Sequence, residues 1–163
     1  MSKVPIKDLE YELIMLFGAA KLCKLFEVND LGNPVNYFKD AVYLHSRNLY
    51  NFFSSNTNND AKVSAFTSHQ FNLSLYNTWK GALHDHALHI KCSRGTPTNV
   101  INGVHINEQI QHFATDIDGL WKEWIRNTND LSLKKELQDA LTKAKRESTD
   151  DYDKLQKQLA LPS

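Results

Sequence analysis

Residues 106–124 read INEQIQHFATDIDGLWKEW, and Ile106, Ile110, Phe113, Ile117, Leu120 and Trp124 recur there at steps of four, three, four, three and four. Because about 3.6 residues complete an α-helical turn, that spacing gathers the six side chains on one stripe. A helix that buries one stripe needs neighbours that do the same, so the segment reads as the seam of a helical bundle. Trp121 reads as a flank of this seam, and the helix ends near Asn127.

Working outward, the neighbours are present. Ile6, Leu9, Leu13, Leu16, Ala20 and Cys23 predict a helix from Ile6 to Phe26. The turn cluster Asn29-Asp30-Leu31-Gly32-Asn33-Pro34 closes it, with Asn33 suited to cap the next helix and Pro34 to open it. Phe38, Val42, His45, Leu49 and Phe52 form the stripe of a second helix ending near Ser55. A third runs from about Ser74 to Cys92, with Leu75, Trp79, Ala82, Leu83, His86 and Ile90 on one face. Ser93-Arg94-Gly95-Thr96-Pro97 stops it. Between the second and third helices, residues 54–72 are polar, rich in Asn and Ser, and without a sustained period. Val63, Ala65 and Phe66 suit a short turn tacked onto the core. Asn102-Gly103 marks a tight turn that would join Val100-Ile101 to Val104-Ile106 as a hairpin with very short arms. No convincing strand and no internal repeat accompany it.

After residue 130 the chain changes character. Seven Lys or Arg and six Asp or Glu crowd residues 131–163. Leu133, Leu137, Leu141 and Ala144 make a narrow stripe, Ser148 to Asp151 interrupts it, and Tyr152, Leu155 and Leu159 resume it. This predicts one or two charged helices packing an edge on the bundle or on a partner. The expected architecture is all-α: a four-helix-type bundle over residues 1–130 and a charged C-terminal helical extension over residues 131–163.

Composition bounds the function. A chain of 163 residues suits one domain, and 41% hydrophobic with 23% charged residues is the balance of a soluble globular chain. Nineteen basic residues offset nineteen acidic ones, so no overall positive field draws the chain to nucleic acid or membranes, although a local patch still can. The longest apolar run, Leu13 to Phe17 extended through Ala20, falls far short of the roughly 20 residues of a membrane span. Asp8, Glu10 and Glu12 argue against a signal peptide. Cys23 and Cys92 are far apart in sequence and read as free thiols of a reducing cytosol, so the expected location is cytoplasmic.

Two stretches carry candidate chemistry. The first is His84-Asp85-His86-Ala87-Leu88-His89, taken together with His45. Zinc or iron sites on helices need imidazoles and carboxylates three or four residues apart. His86 and His89 have that relation, as do Asp85 and His89, but His84 points nearly opposite to His86. A site would need His45 to meet His86 across the bundle. Neither Glu-x-x-His nor His-Glu-x-x-His occurs, and Glu108-Gln109-Ile110-Gln111-His112 has the wrong spacing for both. The expectation is no metal and no cofactor.

The second stretch is Leu44-His45-Ser46-Arg47-Asn48-Leu49-Tyr50-Asn51-Phe52-Phe53, where His45, Arg47 and Asn48 interrupt core-type residues at mid-helix. A buried imidazole needs a partner. The positions predict that His45 meets His86 across the bundle, or that it meets Asn48. Sealed, the pair is structural; open beside Arg47, it suits phosphate chemistry. Arg47 reads either as a phosphate clamp, with its planar fork of donors, or as a surface ion pair with Asp40 or another carboxylate. Arg94-Gly95-Thr96-Pro97-Thr98-Asn99 reads as an inter-helix loop or as a phosphate-binding nest, so Arg47, Asn48 and Arg94 are the candidate ligand-binding residues.

The helix-two segment, followed by the His-rich helix and Arg94, resembles a group of small bacterial all-helical proteins. These carry a His-x-Arg-Asn-Leu-x-x-Phe-Phe type helix and are similar in outline to HEPN domains. The resemblance spans roughly Phe38 to Trp124. It implies a helical bundle that binds nucleotides or acts as a metal-independent ribonuclease. HEPN ribonucleases place a His four to six residues after an Arg, and neither Arg47 nor Arg94 has one there, so no catalytic residue carries over. The resulting expectation is a cytosolic binding or interaction module. Its partner would be a protein at the C-terminal helices, a second copy of the chain, or RNA or a nucleotide, but not a membrane. The alternative is a ribonuclease built on His45, Arg47, His86 and His89, with imidazoles moving protons and Arg47 holding the charged phosphate.

Overall fold

The first helix, α1 (Ile6–Val28), buries residues on several sides: Leu9, Leu13, Leu16 and Ala20, but also Phe17, Ala19, Cys23 and Leu25. A helix buried on more than one side, with an exposed stripe through Lys7, Tyr11 and Lys24, belongs between neighbours in the middle of a fold. In the computed structural model it does lie there, packed against α2 (Val35–Ser54) and α5 (Leu131–Ala160) and touching α4 (Ile110–Arg126). Residues 5–54, 62–88 and 99–160 are described, with side chains to Asp85 in the second stretch. The fold is all-α, with α3 (Ser74–Leu88) laid on α2 and one small hairpin of β1 (Val100–Ile101) and β2 (Val104–His105) before α4.

The turn from α1 to α2 is built by residues suited to it. The Asn29 amide donates to Leu25 O at 2.7 Å, tying off the helix end. Asp30 (φ 49°) and Gly32 (φ 78°) take the left-handed conformation that reverses the chain. α2 then buries the expected Val42, His45, Leu49 and Phe52, together with a second stripe of Tyr43, Ser46, Tyr50 and Phe53. It needs both stripes because α1 covers one side and α3 and α4 cover the other. The 3₁₀ turn Val63–Ala65 pins Val63 into the core, and Phe66 and Phe71 follow it against Phe52, Phe53 and Trp124. On α3 the buried residue is Tyr76, with Leu75 only half-buried; Trp79, Ala82 and Leu83 complete the face. The remainder of the helix expected to run to Cys92 lies outside the described residues.

The hairpin forms as its turn requires. Asn102 (φ 51°) and Gly103 (φ 81°) both take positive φ, the geometry that matches the twist of antiparallel arms, and Ile101 pairs with Val104. The seam helix opens as a 3₁₀ turn over Ile106–Gln109 before becoming α-helical at Ile110. A reciprocal cap holds that turn: His105 N–H donates to Glu108 Oε1 at 2.9 Å and Asn107 N–H donates to His105 Nδ1 at 3.1 Å. All six seam residues are buried.

One expectation is overturned. Trp121 is not a flank: it is fully buried, and its Nε1–H donates to Leu137 O at 2.9 Å, because α5 covers that side of α4. Of the one or two helices expected after residue 130 the chain forms one, since α5 runs through Ser148 to Asp151 as a helix of 30 residues. Ser148 and Thr149 turn their hydroxyls back onto Lys145 O at 3.0 and 2.8 Å, so the polar run satisfies itself without breaking the helix. Asp130 Oδ1 starts α5 by accepting from the backbone N–H of Ser132 and Leu133 at 2.8 and 3.0 Å.

Candidate functional site

Polar residues cross the bundle in a row from α1 over α2 to α3. At the α1 end, Glu12 Oε2 accepts from His45 Nδ1 at 2.8 Å and from the Asn48 amide at 3.1 Å. A carboxylate can only accept, so the proton of the His45 ring sits on Nδ1. Tyr11, one residue before Glu12, places its ring edge-on to His45 at 6.0 Å. His45 is 6% exposed, whereas the Glu12 side chain keeps 22% of its surface open. The sequence offers His86 or Asn48 as the partner of His45. Asn48 instead shares Glu12 with it, and Glu12 lies on a helix the sequence reading did not connect to the site. The side chain of His86, and His89 and Arg94 entirely, lie outside the described residues.

Arg47 occupies the middle of the row. Its Nη2 donates to Asn48 Oδ1 at 3.3 Å, while Nε and Nη1 are buried and make no hydrogen bond. The guanidinium is held inside the bundle rather than at its surface. Glu12 is the nearby acid, but it is taken by His45 and Asn48 from the α1 side of α2, whereas Arg47 faces α3.

On the α3 side, Tyr76 OH donates to Asn51 Oδ1 at 2.8 Å and lies 3.4 Å from His84 Nε2. The Tyr76 ring stacks on Tyr50 at 5.0 Å, which fixes its direction. Burial raises the Tyr76 pKa, and the positive charge of Arg47 works against that rise. For His84, burial and then Arg47 lower the pKa, with Asp85 opposing. Arg47 is thus close enough to be felt by both groups. Glu12, Asn51 and Tyr76 were not singled out in the sequence. The visible signal was position, since Asn51 falls one turn beyond Arg47 on the same face of α2.

The arrangement presents two unused guanidinium donors beside a half-buried imidazole and a phenol, a donor-rich setting for an anion. Among the described residues no group of three or more His, Cys, Asp or Glu converges to hold a metal ion. Cys23 is buried, and burial followed by Glu27 pushes its thiol up to about 12, with Lys39 opposing; it is not an activated nucleophile. No described helix is long and apolar enough to cross a membrane. In comparisons with known proteins, no family model, no curated protein and no solved structure matches the chain.

Proposed function

We propose that this protein is a cytoplasmic binding module whose Arg47 face takes a phosphate-bearing ligand, an RNA strand or a nucleotide. One observation carries the reading: Arg47 is held in the bundle with Nε and Nη1 buried and unbonded. A charged donor left in that condition costs roughly 1–3 kcal/mol or more. An anion seated against the guanidinium fork removes that cost, and a phosphate matches its paired donors. The Glu12–His45 contact supports binding over catalysis, because Glu12 already takes up the Nδ1 of His45. The resemblance of the sequence to HEPN domains, without their Arg–His spacing, points the same way. The outer face of α5, charged and carrying exposed Leu131 and Leu159, remains the surface for a protein partner or a second copy.

The test is fluorescence anisotropy with a labelled single-stranded RNA of about ten nucleotides, a length within the usual range of such sites. Wild type is expected to bind with an affinity that falls as salt rises. Arg47→Gln is expected to lose about tenfold or more, the equivalent of one charge-assisted contact. Unchanged affinity in Arg47→Gln sinks the assignment. Cleavage of the RNA by wild type, lost in His84→Ala or His86→Ala, would replace it with the ribonuclease reading.

A further inference from the structure

Between α1, α4 and α5, in a region that does not include Arg47, the core stripes shrink. Along α1 Leu9, Leu13 and Leu16 give way to Ala20, and along α5 Leu137 and Leu141 give way to Ala144 and Ser148. Where these small residues meet Ala114 of α4, the three helices enclose a cleft of about 370 Å³. That is within the size range of small-molecule pockets, about 300–1,000 Å³. Phe17, Ala20 and Ala114 give it an apolar floor, and the Gln111 amide closes one wall by donating to Ala20 O at 2.7 Å.

The mouth of the cleft is cationic. Lys21 donates to the neutral hydroxyl of Thr149 and forms no ion pair among the described residues. Lys145 lies 2.7 Å from Asp118 Oδ1, but the other oxygen of that carboxylate is taken by Lys122 at 2.7 Å. Burial lowers the pKa of Lys21, the carboxylate of Asp153 opposes this, and Lys145, which shares the cleft lining with Lys21, adds to it. Lys21 and Lys145 against Asp118, the charged residues of the lining, leave a single positive charge, which matches a monoanion rather than a polyphosphate.

We propose that the α1–α4–α5 cleft binds a small amphiphilic monoanion, a carboxylate on a compact apolar body, with the carboxylate between Lys21 and Lys145 and the body on Phe17, Ala20 and Ala114. The site is separate from the Arg47 face and does not depend on it.

The probe is hexanoate, titrated into the full chain labelled with nitrogen-15, with hexanol and hexylamine as controls. Hexanoate is expected to give saturable shifts of the amide signals of Ala20, Ala114 and Ser148, and the controls none. Lys21→Gln should weaken binding by roughly tenfold or more. Thr115→Phe, a change at an exposed residue on the cleft wall, should block it, whereas Arg47→Gln should bind hexanoate as wild type does. A dissociation constant above about 10 mM for wild type would overturn the proposal. So would undiminished binding in Thr115→Phe or Lys21→Gln, or equal binding of hexylamine.

Discussion

At Arg47 the requirements of folding and of binding pull apart. A methionine there would keep most of the buried stem and remove two unbonded donors. Arg47→Met is therefore expected to raise the unfolding free energy by about 1–3 kcal/mol in urea titrations. A loss of stability instead would mark the guanidinium as a structural group. His84 provides a second test through pH. Its folded pKa lies below the ordinary 6.5, from burial first and Arg47 second, with Asp85 opposing. Its contribution to stability is present above 6.5 and is lost as pH falls through the folded value. An anion on Arg47 cancels the repulsion that Arg47 exerts on the imidazolium, so binding takes up a proton. RNA affinity should therefore rise between about pH 7.5 and about pH 5.5, a range in which the charge of a phosphodiester does not change. His84→Gln should flatten that profile; an equal slope in the variant would remove His84 from the site.

Among the elements, α5 shows how a polar interruption in a sequence need not interrupt a helix. Ser148 and Thr149 are weak helix formers by propensity, because their hydroxyls compete for backbone groups. Here each finds Lys145 O one turn back, and Ser148 is covered by α1 and α4. Replacing Ser148 with proline removes an i→i−4 bond and clashes with the preceding turn. The expected loss is about 3 kcal/mol or more. A break between two helices at that point would tolerate proline with little change in the urea midpoint, so the variant distinguishes one helix from two. Trp121 makes the same point from the α4 side. Its ring needs a lid, and its Nε1–H needs an acceptor; Leu137 O supplies the acceptor and α5 the lid.

The whole molecule depends on α5 more than its charge suggests. Leu137, Ala140, Leu141 and Ala144 belong to the same core cluster as Leu13, Leu16 and Ile117. A fragment of residues 1–130 would expose Trp121 and one side of α1, and is expected to unfold without a sharp transition in near-ultraviolet circular dichroism; a cooperative transition like that of the full chain would show α5 to be dispensable. Most of the helical plan was legible beforehand, because a stripe at spacings of three and four reports a buried face wherever it occurs. The all-α class, the first three helix starts, the seam from Ile106 to Trp124 and the Asn102-Gly103 turn all follow from local pattern. Arg47, Asn48 and His45 stood out for a local reason too, as polar residues in a core stretch. Periodicity locates a face but not its neighbour. Nothing in residues 44–53 states that Glu12, some thirty residues earlier, would take up His45 and Asn48 and leave Arg47 to face Tyr76 and His84. Nor does a run of lysines and acids state that its apolar edge would cover Trp121. Those outcomes turn on which helices pack together and at what rotation, and only the assembled bundle decides them.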